Sequence, residues 1–150
     1  MLWTCFLGYR IDELVYGEGE SSVTKIERYL VDGQHEPVSH YCHAVRYGER
    51  IWISGMVGID ESGNVPKDTV EQFAIAMKNF DSVLCAAGGG AENVVKVTVF
   101  VTNISDRSRI NPIRQEYFGE HRPASSLFEV SKLVLPELKV EIEGEAVIFD

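Results

Sequence analysis

Residues 94–102 read Val-Val-Lys-Val-Thr-Val-Phe-Val-Thr, a β-branched and aromatic run without Gly or Pro, which predicts a strand. Alternation sets Val95, Val97, Val99 and Val101 on one face and Val94, Lys96, Thr98, Phe100 and Thr102 on the other. Both rows carry large apolar side chains. A strand of this kind is stable only in a sheet whose two faces are both covered.

The helices available for that covering are few. Val70, Phe73, Ala74, Met77, Phe80, Leu84 and Ala87 recur at spacings of three and four, one apolar helical stripe. Asp68 with Glu71, or Thr69 with Gln72, offers a capping box at its start, and Gly88-Gly89-Gly90 stops it. A second helix lies within residues 106–119, with Ile110, Ile113, Tyr117 and Phe118 inward. Asn111-Pro112 either opens that helix or bends one that began earlier.

Further strands are predicted over residues 23–31, 42–47, 50–57, 126–133 and 138–149, with Gly48-Glu49 as a tight hairpin turn. The order β-β-β-α-β-α-β-β gives an α/β (α+β) domain, a six-stranded mixed sheet with two helices on one face. The other face then needs a partner, and the simplest is a second copy of the chain. A homo-oligomer with clefts between subunits is expected.

A composition shift near residue 20, where the chain is acidic and rich in Gly and Ser, divides an N-terminal extension (1–21) from a single domain (22–150). The formal charge of −9, with no basic stripe beyond Arg107, Arg109 and Arg114, disfavours nucleic acid and anionic membranes as partners. No stretch is long and apolar enough to span a bilayer. Three cysteines without CxxC spacing, and no secretory leader pattern, predict free thiols in a cytoplasmic setting.

His40-Tyr41-Cys42-His43 offers metal-ligand residue types, but positions three apart on a strand face opposite ways, so no metal site is expected. The triple glycine follows a helix instead of preceding one, which suits helix termination better than phosphate binding. Glu141, Glu143 and Glu145 alternate along the last strand and share one face. They are either a solvated row or the source of a carboxylate that manages protons in a cleft.

Taken in order, Ser54-Gly55, Glu71-Gln72, Asn79, residues 94–100, Asn111, Pro123-Ala124, Glu129-Val130 and residues 140–143 resemble the RidA family, also called YjgF or L-PSP, over roughly residues 37–149. The resemblance implies a chorismate-mutase-like fold and a homotrimer with three intersubunit clefts. It also implies that small carboxylate-bearing metabolites bind there without a cofactor. The best-known members hydrolyse enamines and imines to 2-keto acids and ammonia. Others are described as ribonucleases or translation inhibitors, and some only bind ligands.

By the same resemblance Tyr41 matches the family's cleft tyrosine, Ser54 and Gly55 its Ser-Gly turn, Asn111 the helix asparagine near the ligand, and Glu141 the glutamate that positions water. The chain departs from the deaminating members at Pro123-Ala124-Ser125-Ser126, where they have Pro-Ala-Arg-Ser and their arginine grips the substrate carboxylate. This places it in an arginine-lacking branch. Arg122, three positions earlier, points to the opposite face of a strand. Arg114, one helical turn after Asn111, is the better replacement for the lost charge. The reading is thus a cytoplasmic trimer that hydrolyses a C=N or enamine bond, with Glu141 activating water and Tyr41, Ser54, Gly55, Asn111, Arg114, Ser125 and Ser126 binding a ligand that, because the arginine is absent, differs from the simple 2-imino acids of the arginine-bearing members. A metabolite-binding module without catalysis is the alternative, and RNA cleavage lacks electrostatic support.

Overall fold

The computed structural model of the chain describes residues 9–11 and 25–149. Strands β2 (Ile26–Val31), β3 (Ala44–Tyr47), β4 (Arg50–Val57), β5 (Val94–Val101), β6 (Ala124–Glu129) and β7 (Val140–Val147) form the expected six-stranded mixed sheet. Helices α1 (Thr69–Ala86) and α2 (Arg107–Phe118) lie on one of its faces. Three residues of the expected extension, β1 (Tyr9–Ile11), pair antiparallel with β2, so the order across the sheet is β1-β2-β3-β4-β7-β5-β6. The β5–β6 pair is parallel and the rest are antiparallel. The rest of residues 1–21 lies outside the described residues.

The hairpin between β3 and β4 turns through Gly48-Glu49, with Tyr47 opposite Arg50. Gly48 takes φ +61°, while no non-Gly residue among those described has positive φ. Positive φ at the first turn position only is the type II′ pattern, which matches the twist of the two strands.

Helix α1 opens on Asp68, whose carboxylate accepts from the backbone N–H of Val70 and Glu71. Phe73, Met77, Phe80 and Leu84 are fully buried against Ile51, Val97, Val99 and Ile142, each contributing roughly 1.5–3 kcal/mol by leaving water. The buried stripe is rotated from the expected one: Ala74 is exposed, and Gln72, Ala76, Asn79 and Val83 are inside. Gln72 and Asn79 are polar, so an apolar count passes over them. Gln72 donates to Pro66 O (2.7 Å) and Glu137 O (3.0 Å) and accepts from Lys139 N (2.8 Å). Asn79 donates to Val57 O and Ile59 O.

Helix α2 begins before the Asn-Pro pair and carries Pro112 inside it. On β5 the pairing to β7 shifts between Val94 and Lys96. That bulge exchanges the first two valines: Val94 is buried and Val95 is 46% exposed, the reverse of strict alternation. Cys42 is a free thiol, whereas Cys85 is disulfide-bonded, which corrects the expectation of a free thiol at residue 85. No helix among the described residues is long and apolar enough to cross a membrane.

Among the described residues, nothing covers the sheet face away from the helices. Trp52, Phe100 and Phe128 stand on it, with Phe100 and Phe128 stacked at 6.3 Å between ring centroids and Phe128 53% exposed. Glu141, Glu143 and Glu145 share this face, since Val140, Ile142, Gly144 and Ala146 between them are buried on the other.

Candidate functional site

Glu141 sits at the meeting of three strands, opposite Val57 of β4 and Phe100 of β5. Its carboxylate lies directly over Gly55. A Cβ added to Gly55 would stand 1.8 Å from Glu141 Oε1 and 2.7 Å from its carboxyl carbon, so only glycine leaves room for the acid. The pairing of β4 with β7 slips between Ile53 and Met56, and this irregularity at Ser54-Gly55 re-aims the strand where the carboxylate rests. Burial, and next the charge of Glu143 on the same face, push the Glu141 carboxyl above its ordinary value. Among the described residues it accepts no hydrogen bond, which leaves its oxygens available.

Ser54 Oγ donates to Cys42 O at 2.7 Å and fixes the segment that carries Tyr41. Tyr41 and Gly55 line one shallow depression together with His35, His43, Val57 and Asn79. Gly55 is thus shared: it lines the depression with Tyr41, and Glu141, which is not among the lining residues, rests over it. His43 is a structural member of the depression: its Nδ1 accepts from Val31 N–H (2.9 Å) and its Nε2 donates to His35 O (3.1 Å). Both ring nitrogens are thus engaged by the protein, and burial holds its pKa below the usual value.

A second group lies at the opposite edge. Arg114 Nη2 donates to Ser125 Oγ at 2.7 Å, which brings the helix arginine to the strand serine, as the sequence reading expected of Arg114 as the replacement charge. Asn111, one turn earlier on α2, is exposed. Ser125 pairs with Val97, whose side chain is buried on the helix face, and so Ser125 faces the helices. Ser126 pairs with Thr98 and takes the uncovered face, where its Oγ accepts from Lys96 Nζ at 2.8 Å. The two serines thus point to opposite sides.

The two groups do not meet within one chain. Strands β7 and β5 separate β4 from β6, about 14 Å at three strand spacings. Glu141 and Ser125 also face opposite sides of the sheet.

Sequence reasoning missed Lys96, the one charge in an apolar strand, and it missed the depression's lining by His35 and Asn79. Isolation within β5 was a usable signal for Lys96; nothing local marks the other two. No cluster of three or more His, Cys, Asp or Glu among the described residues is arranged to hold a metal.

The model of the family described as Endoribonuclease L-PSP matches residues 20–148. The chain belongs to that family. A RutC family protein of Pyrococcus abyssi is 36% identical over 116 residues, 76% of this chain and 89% of the relative. The mouse 2-iminobutanoate/2-iminopropanoate deaminase is 38% identical over 112 residues, 73% of this chain and 82% of the enzyme. Among solved structures, Escherichia coli TdcF with bound serine superposes with a TM-score of 0.73 at 28% identity, covering 77% of this chain and 94% of TdcF. The RidA resemblance read from the motifs and the L-PSP family are the same grouping, and the chorismate-mutase-like α+β fold is its fold.

Proposed function

We propose that this L-PSP family protein is a homotrimer whose intersubunit clefts hydrolyse the C=N bond of a small metabolite, an imine or the enamine that tautomerises to it. The observation that carries the reading is the seat of Glu141: a half-buried carboxylate over Gly55, raised in pKa and with its oxygens unclaimed. A base of that kind, with a pKa moved toward neutrality, is suited to take a proton from water. The water oxygen adds to the imine carbon, the nitrogen is protonated, and collapse of the carbinolamine forms the carbonyl and releases ammonia. One water is consumed for each ammonia lost, and no redox step is needed.

Tyr41, Ser54 and Gly55 would form the wall beside Glu141, and Asn111, Arg114 and Ser125 of a second copy the facing wall. Ser126, on the uncovered face, would line the junction. The uncovered sheet with Trp52 and Phe128 exposed supports assembly, since such a face is stable when another copy covers it. The deaminase name of the mouse relative and the serine held by TdcF support a small substrate of amino-acid type.

Ammonia release from enzymatically generated imines by wild type and Glu141→Gln tests the proposal. A loss of tenfold or more in kcat for the variant is expected; equal rates remove Glu141 from the reaction. Ser125 in place of arginine favours one second reading, a binding module without turnover. In that case metabolites would raise Tm by mass action while no ammonia forms.

A further inference from the structure

Residues 32–42 join β2 to β3 and carry Tyr41. Among the described residues, the hydrogen bond that ties the middle of this segment (35–40) to the strands comes from one side chain, His43, whose Nε2 donates to His35 O at 3.1 Å. The backbone N–H of His43 is itself held by Tyr29 O of β2 at 2.9 Å. Its other ring nitrogen, Nδ1, accepts from the N–H of Val31, the last residue of β2, at 2.9 Å. One imidazole thus bridges the end of β2 and the segment. Cys42, next to it, is fixed through its carbonyl by Ser54 Oγ at 2.7 Å, and Tyr41 follows directly. His35, Tyr41 and His43 line the same depression.

This bridge exists in one protonation state. Nδ1 accepts only while it carries no proton, so the bound ring is the neutral tautomer with its hydrogen on Nε2. A proton on Nδ1 sets one N–H against another, and the ring cannot keep its place beside Val31. Burial holds the ring's pKa below 6.5; the bond to His35 O opposes that, and the His35 charge adds to it. His35 is the charged group that bears on the ring. Around the depression β4 presents Gly55, Met56 and Val57 and α1 presents Asn79, none of which titrates, while the Tyr29 phenol of β2 donates to Glu27 at 3.0 Å.

We propose that His43 is a positioning residue for Tyr41: with its ring neutral it pins residues 32–42 to the end of β2 and sets Tyr41 at the site, and on taking a proton it releases both. Glu141 sits on β7, to which the ring makes no hydrogen bond, so the release weakens ligand binding and spares the acid. The effect falls on KM more than on kcat. This deepens the proposed function and rests on it only in taking Tyr41 as part of the ligand wall.

The bridge can be read without turnover. Exchange of the Val31 amide, corrected for its intrinsic rate, and the ring resonances of Tyr41 are followed by NMR from pH 7.5 to 4.5 in wild type and His43→Gln. The glutamine amide can accept from Val31 and donate to His35 O but does not titrate. In wild type, Val31 protection should be about tenfold lower one pH unit below the His43 midpoint, and Tyr41 should shift with that same midpoint, below 6.5. Both should stay flat in His43→Gln. In imine turnover, KM of wild type relative to His43→Gln should rise by about tenfold over the same range, with the kcat ratio unchanged. Equal pH dependence in the two proteins, a Tyr41 midpoint apart from that of His43, or a constant KM ratio overturns the proposal. If His43→Gln does not fold, wild type decides: the His43 ring nitrogens, the Val31 amide and the Tyr41 ring must share one midpoint, and separate midpoints overturn it. A shared midpoint in a protein that releases no ammonia leaves the positioning role standing and removes the hydrolase.

Discussion

Glu141 occupies the space that a side chain on residue 55 would need, with Oε1 1.8 Å from where a Gly55 Cβ would be built. The glycine keeps that space open for the acid, so Gly55→Ala should swing the carboxylate away. Residue 55 does not take positive φ, so alanine brings no backbone strain of its own. The expected result is a loss of about tenfold or more in kcat with a change in Tm of only a few degrees, measured by ammonia release and thermal unfolding.

Glu143 should tune Glu141. Burial is the first cause of the raised Glu141 pKa and the Glu143 charge the second. A base works in its ionised form, so rate should rise with pH through the Glu141 pKa, and Glu143→Gln should move that acid limb to lower pH. The stability sign is opposite to that of a paired carboxylate. A raised folded pKa costs stability at high pH and nothing below the ordinary value of 4.5. Glu141→Gln should therefore raise Tm at pH 7 and leave it unchanged near pH 4.

His43 should make the fold acid-sensitive. Its folded pKa is lowered from 6.5, first by burial, because the neutral ring accepts from Val31 and donates to His35. The unfolded chain takes up the proton first, so stability is full above 6.5 and falls as pH drops from there toward the folded pKa. Denaturant unfolding at pH 7.5, 6.5 and 5.5 measures this. His43→Ala should remove that part of the pH dependence and cost about 2–3 kcal/mol by orphaning the buried Val31 N–H.

Gln72 ties α1 to the segments at 66 and 137–139 through three hydrogen bonds. Gln72→Leu fills similar volume but strands those backbone groups. A loss of about 2–4 kcal/mol in chemical denaturation is expected, larger than for the exposed Glu71→Leu next to it.

Much of this was legible in the amino-acid order. The α1 stripe, the Gly48-Glu49 turn and the β5 alternation rest on local periodicity, which tertiary packing seldom reverses. Where the reading slipped, the cause was non-local. The bulge that exchanges Val94 and Val95 depends on the register with β7, and the inward turn of Gln72 and Asn79 depends on backbone carbonyls and an N–H up to 67 residues away in sequence. The site divides in the same way. Glu141 stood out as one of three alternating acids, but its seat over Gly55 is a cross-strand contact. Helical spacing put Arg114 beside Asn111, and the parallel pairing of β5 with β6 turned Ser125 toward it while sending Ser126 to the other face.

Mixing two damaged subunits is the most direct test of a site shared between copies. Glu141→Gln and Arg114→Ala subunits, each inactive in its own homotrimer, are unfolded together in equal amounts and refolded, and ammonia release is measured. If each cleft takes Glu141 from one copy and Arg114 from the next, random assembly makes roughly one cleft in four intact, and about a quarter of wild-type activity should return. Activity no higher than the sum of the two parents would contradict the shared site and the function built on it.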